Sequence, residues 1–123
     1  MWKTVTKRYE FAGVGMVNET ELALLAEFAR RCGGRVGVYA PASLAELVLV
    51  AGRRKETVRR VCQRLEERGL LCVAARYAED GGQLSNAYAL TAVGMALTRA
   101  NARRRSERET SGRLACAREP GPT

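Results

Sequence analysis

The sequence predicts a mostly helical α+β fold: a three-helix core, a β-hairpin and a C-terminal helix. Three observations predict it. Capping boxes at Asn18–Glu21 and Ser43–Glu46 each open a run of apolar residues at helical spacing. A third amphipathic run follows the second after only Gly52-Arg53-Arg54. Beyond Gly69 the apolar period changes to two on either side of the turn Glu79-Asp80-Gly81-Gly82.

Taken in order, Lys3–Phe11 carries β-branched and aromatic residues in loose alternation and reads as a strand or extended arm, broken by Gly13-Val14-Gly15. That G-x-G lacks a third glycine at phosphate-loop spacing and carries little weight as a nucleotide site. The first helix has Asn18 as N-cap and Glu21 reaching back. Its apolar stripe is Leu22, Leu25, Ala26 and Ala29, widened by Phe28 and Cys32, and Gly33-Gly34 ends it. Val36–Tyr39 is a short strand candidate stopped by Pro41. The second helix, capped by Ser43, presents Leu44, Leu47, Val48 and Ala51 and stops at Gly52. Leu49 and Val50 fall off that face, as a partner contact or a buried rim.

The third helix has the stripe Val58, Val61, Cys62 and Leu65, with polar residues everywhere else up to Gly69. The hairpin alternates Leu71, Val73, Ala75 and Tyr77, then Leu84, Asn86, Tyr88 and Leu90. Thr91 caps a fourth helix with Val93, Ala96, Leu97 and Ala100 turned inward. That narrow seam suits a cover over the core, with a homodimer contact as the other use. From Asn101 the periodicity fades, so residues 101–123, with Arg103-Arg104-Arg105, are expected as a mobile, solubilising basic tail. The expected organisation is an arm over 1–17, a domain over 18–100 and that tail.

Composition narrows the function. The chain has 123 residues, room for one domain, and 46% of them are apolar, enough for a core. Its apolar runs fall far short of the ~20 residues that span a bilayer, so no membrane association is expected. The first residues lack the apolar stretch of a secretory signal, and the chain is expected in the cytoplasm, associated with the nucleoid. Histidine is absent, which removes Ser–His and Cys–His nucleophile pairs and imidazole ligation. No catalytic residue, metal ligand or cofactor is therefore assigned. Cys32, Cys62 and Cys72 read as small core residues with reduced thiols, and Cys116 as an exposed thiol in the tail.

Charge points to the partner. The formal net charge is +8. Residues 52–78 hold eight basic and three acidic groups, and residues 99–123 seven and three. The element order is that of a winged helix-turn-helix, in which a short connection holds the third helix across the second, one face packed and the other projecting. The side opposite the apolar stripe holds Glu56, Arg60 and Gln63, flanked by Arg59 and Arg64. Arginine pairs bidentately with guanine, glutamine with adenine, and glutamate accepts from cytosine. Glu56, Arg59, Arg60 and Gln63 are the base-reading candidates, and Arg53, Arg54, Lys55, Thr57 and Arg64 the phosphate candidates. The partner read from this pattern is double-stranded DNA, bound in a sequence-specific way. The rival is a protein–protein or RNA interaction module using Leu49 and Val50.

The same residues carry a resemblance. Ser43-Leu44-Ala45-Glu46-Leu47 through Gly52, then Glu56–Arg60 and Leu65–Leu71, resemble bacterial winged-helix domains. Gly81–Thr91 is similar to the wing of phage and plasmid replication initiators (replisome organisers) and mobile-element regulators. The ending Tyr88-x-Leu90-Thr91-x-x-Gly94 is similar to MarR-type transcription regulators. The resemblance covers roughly residues 18–98 and implies transcriptional control or replication initiation on a bacterial or phage-like mobile element. Two departures stand out. Arg53 and Arg54 replace the usual apolar residue and Ser or Thr cap, at a cost of ~1 kcal/mol. The wing tip is acidic, with Glu79 and Asp80, so insertion into the minor groove is not expected. Arg76, Gln83, Ser85 and Asn86 are left as backbone contacts.

Overall fold

The computed structural model describes the backbone of residues 7–117 and the side chains of residues 7–108. In chain order these form β1 (Arg8–Phe11), β2 (Gly15–Asn18), α1 (Glu19–Arg31), β3 (Ala40–Pro41), α2 (Leu44–Ala51), α3 (Lys55–Glu67), β4 (Leu71–Tyr77), β5 (Gln83–Leu90) and α4 (Ala92–Ala117). β1 and β2 pair antiparallel. A second antiparallel sheet has the order β3-β5-β4.

Both capping boxes form as their spacing predicts. Asn18 accepts from the Glu21 amide while Glu21 accepts from the Asn18 amide, and Ser43 and Glu46 do the same for α2. Two helices end in the same way. The amides of Gly33 and Gly34 bond the Arg30 and Ala29 carbonyls, and those of Gly69 and Leu70 bond the Glu66 and Leu65 carbonyls. These are Schellman closures, and they need the positive φ of Gly33 and Gly69, 66° and 74°.

The stripe Val58, Val61, Cys62 and Leu65 is buried as a unit, and Phe28 stacks on Tyr88 with centroids 4.6 Å apart. α1 lies at the centre of the molecule. Leu24, which lies off the expected stripe, is as fully buried as Leu25, because this helix has neighbours on several sides rather than one. Arg31 joins α1 to α2, donating to Glu27 and Glu46 and to the Pro41 carbonyl.

Four expectations are corrected. The arm is a hairpin, folded back at Gly13 and Gly15, with Val17 fully buried in the core; residues 3–6 of the expected strand lie outside the described residues. The strand placed at Val36–Tyr39 is instead Ala40–Pro41, paired with Tyr88 and Ala87 of β5. Val36, Val38 and Tyr39 are exposed. Proline is tolerated at this edge because only one side of the strand needs partners. Cys72 is exposed rather than a core residue, because Leu71 beside it takes the inward position.

The fourth correction concerns α4, which runs to Ala117 instead of fading at Asn101. Asn101 is only 5% exposed and Arg104 lies 3.9 Å over the Tyr9 ring, so packing carries the helix past the point where apolar periodicity stops. Its phase also differs. Gly94, Met95, Leu97 and Asn101 face inward, while Val93 is 51% exposed and Ala96 is exposed. Contact with the end of α3 imposes that phase. Thr91 donates its hydroxyl to the Gly69 carbonyl and caps α4 by accepting from the Gly94 amide. A Cβ added at Gly94 would stand 2.1 Å from the Leu70 carbonyl oxygen.

Gly94→Ala therefore forces backbone apart. It should cost about 1–3 kcal/mol despite the better helix propensity of alanine, read as a lowered urea midpoint. A midpoint equal to or above that of the unaltered protein contradicts the close approach.

Candidate nucleic-acid interface

α3 leaves the turn after α2 at Gly52, whose φ of 63° ends α2 in the left-handed conformation. Its N-cap, Arg54, makes no side-chain cap hydrogen bond, so the first amides of α3 are left to solvent or to an anion. Burial of the stripe fixes the rotation of the helix. Lys55, Glu56, Arg59, Arg60, Gln63 and Arg64 are all exposed, and Thr57 is half-buried. Arg53, expected as a phosphate contact, lies just before α3. It is half-buried, and its Nε donates to Thr20 Oγ1 of α1 at 3.3 Å.

The other end of α3 is tied to the next residue of α1. Arg68 donates to the Glu21 carboxylate at 3.1 Å and to the Val14 carbonyl. Glu21 is 3% exposed. The helix is thus anchored on the first turn of α1 from both sides, by two arginines that do not themselves lie on the projecting face.

The wing rises beside this face. β4 and β5 pair from Leu71↔Leu90 out to Tyr77↔Gln83, with an irregularity between Ala74 and Arg76. The inner half of β5, Ala87–Leu90, is buried, while Gln83–Ser85 at its outer end and Tyr77 at the outer end of β4 are exposed. The expected alternation is therefore absent from β5, whose inner half is covered on both faces and whose outer half has left the core. At the tip, Asp80 accepts from the Gly82 amide at 2.9 Å, so this acid serves the turn.

Between α3 and the wing lies an open cleft of about 500 Å³. Arg59 and Gln63 of α3 meet Gln83, Ser85 and Asn86 of β5 there. The Asn86 Oδ1 is buried without a hydrogen-bond partner among the described residues. Glu66 also lines the cleft and accepts from the Val73 amide at 3.3 Å, a bond that fastens α3 to the edge strand β4. Gln63 donates to Glu67 at 3.4 Å.

Other candidates lie apart from this cleft. Arg53, Arg54 and Thr57 share a shallower depression with Val48 and Leu49 at the turn between α2 and α3. Arg64 stands on the opposite flank, near Arg8 and Arg68. Arg76 is exposed on β4 across from Leu84. Sequence reasoning missed Arg8, because its proximity to Arg64 depends on how the N-terminal hairpin folds back.

Burial pushes the Cys62 thiol, at the base of the cleft, up to about 11 and raises Tyr88 in the same direction. Among the described residues no group of three or more acidic or thiol side chains is placed to hold a metal ion. No helix there is long and apolar enough to cross a membrane.

No family model matches the chain, and no curated protein does. Solved structures do match in shape. A variant of S. aureus MepR superposes with a TM-score of 0.62 at 15% identity, covering 85% of this chain and 68% of that one. A variant of Lactococcus lactis ZitR in its apo form gives 0.61 at 13%, covering 81% and 67%. Bordetella bronchiseptica BpsR gives 0.57 at 22%, covering 77% and 60%, so this chain spans less than two thirds of that protein.

The fold is a winged helix.

Within it, the Tyr88-x-Leu90-Thr91-x-x-Gly94 ending is architectural. Tyr88 stacks on Phe28, Leu90 is buried, Thr91 caps α4 and Gly94 permits its close approach to Leu70.

The thiols give a check on this packing. Cys72 should react with a disulfide reagent at neutral pH in the folded protein, with Cys62 and Cys32 reacting only on unfolding. Simultaneous reaction of all three would contradict the burial. Cys62 ionises near 9.0 when solvated and only near about 11 in the fold. The unfolded chain therefore releases its proton first. This contribution to stability is complete below pH 9 and is lost as pH rises toward about 11. Urea midpoints measured across that window should fall, and less steeply in Cys62→Val.

Proposed function

We propose that this chain binds double-stranded DNA in a sequence-specific way and acts as a non-enzymatic transcriptional regulator, working in the cytoplasm on the nucleoid. One observation carries the reading. With its apolar stripe buried, α3 leaves Arg59, Arg60 and Gln63 uncovered on one projecting face. That face is helical, basic and of a size that enters a major groove. Arg60 and Gln63 are the principal base readers, with Arg59 and Glu56 beside them. Arg54, Lys55, Thr57 and Arg64 take backbone phosphates, and Arg53 stiffens the turn as well as adding charge. Arg76, Gln83, Ser85 and Asn86 meet the backbone from the wing.

The similarity of fold supports this, since BpsR is a protein whose DNA binding is regulated by 6-hydroxynicotinic acid. A homodimer is the proposed assembly. Phe11, Val14, Val93 and Leu97 line an apolar groove between the N-terminal hairpin and α4, suited to a second copy. Replication initiation on phage or plasmid DNA would use the same α3 face, and recovering bound fragments from a genomic library separates promoters from origins.

Titration with random and selected duplexes at two salt concentrations tests the reading. Arg60→Ala or Gln63→Ala should weaken the selected duplex by about 1–3 kcal/mol per lost bidentate pair and leave random duplex nearly unchanged. Arg54→Ala with Lys55→Ala should weaken both duplexes alike and lower the salt slope by about one per lost phosphate contact. Leu49, 82% exposed on α2, favours a second reading as an interaction module. Indifference of the unaltered protein to duplex, with binding to RNA or protein lost in Leu49→Ser, selects that reading instead.

A further inference from the structure

A second basic site lies away from α3. Lys7, Tyr9, Glu19, Arg104, Arg105 and Arg108 border a cleft of about 360 Å³ between the N-terminal hairpin, α1 and α4. None of these residues lines the cleft beside α3. Three guanidinium groups and one ammonium group border it, against the single carboxylate of Glu19. Among the described residues, none of those four cations is in an ion pair.

Arg104 is held in place. Its guanidinium lies 3.9 Å over the Tyr9 ring and donates to Asn101 Oδ1 at 2.9 Å, and Asn101 is itself buried. Its Nε is buried without a hydrogen-bond partner among the described residues. A guanidinium clamped in this way, half-buried and in no ion pair among the described residues, costs free energy unless an anion approaches it. Pre-positioning against an aromatic face lowers the entropy lost when that anion binds.

We propose that this cleft binds a phosphate group. Phosphate suits the chemistry better than a carboxylate. The surplus of three positive charges calls for a multiply charged anion, and guanidinium forks match phosphate oxygens in pairs. The phosphate belongs either to a small phosphorylated ligand or to the backbone of a nucleic acid reaching this side of the molecule. The site does not depend on the α3 reading.

The test uses the full chain and Arg105→Gln/Arg108→Gln. Both side chains are exposed and bond to no other described residue, so the fold should be kept. Calorimetric titration with inorganic pyrophosphate should show binding to the unaltered protein, weaker by at least about tenfold in the double variant. Tyr9→Leu, which removes the ring beneath Arg104, should weaken it too. A small-ligand site loses pyrophosphate binding while the salt dependence of duplex binding stays unchanged. A backbone site lowers that salt slope by about two.

Pyrophosphate binding that survives the double variant overturns the proposal. So does absence of pyrophosphate binding together with an unchanged duplex slope. Failure of the α3 reading would appear elsewhere, as duplex affinity unaffected by Arg60→Ala.

Discussion

Glu21 occupies a position where a carboxylate is tolerated only if it is fully engaged. At 3% exposure it accepts from the Asn18 amide and from Arg68, and its own amide is bound by Asn18. The same Arg68 holds the Val14 carbonyl, so the N-terminal hairpin, the start of α1 and the end of α3 meet at one ion pair. Thr20, the neighbouring residue, receives Arg53 from the other side of α3. Removing one member of such a buried pair leaves the other charged and unpaired, which is why these contacts govern the placement of α3 more than their net strength suggests.

With α3 held this way, its apolar stripe settles the rest. Val58, Val61, Cys62 and Leu65 are all buried, and helical geometry turns Glu56, Arg60 and Gln63 outward. The uncapped start of the helix fits the same picture. A side-chain cap would satisfy its first amides internally, whereas Arg54 leaves them with a positive dipole end and adjacent cations. Local stability is given up where an anion can be received. The two basic clefts differ in kind: beside α3 the charged groups project, while beside α4 one guanidinium is clamped against a ring.

Much of this was legible in residue order because it rests on local interactions. The capping boxes, the α3 stripe, the glycine closures and the hairpin turn each involve residues a few positions apart. The errors lie where a distant partner decides. Val93 and Ala96 look like core residues on a helical wheel, but the Gly94–Leu70 approach sets the phase of α4. The α4 helix outlasts its apolar periodicity where Asn101 is buried and Arg104 packs over the Tyr9 ring. Cys72 has a core-like composition and lies on the outer side of an edge strand.

By itself, then, the amino-acid order determined the order of the four helices and the wing hairpin, the caps at Asn18, Ser43 and Thr91, and which side of α3 would be left polar, since these follow from spacings within a turn or two. Tertiary structure alone decided that Arg59 and Gln63 would face Gln83, Ser85 and Asn86 across a cleft. It also decided that Arg53 and Arg68 would anchor on neighbouring residues of α1, and that Arg104 would be stacked on Tyr9. Each of these joins residues tens of positions apart. Nothing in a local pattern encodes such a distance; it is set by how the buried faces pack once all of them are shielded from water.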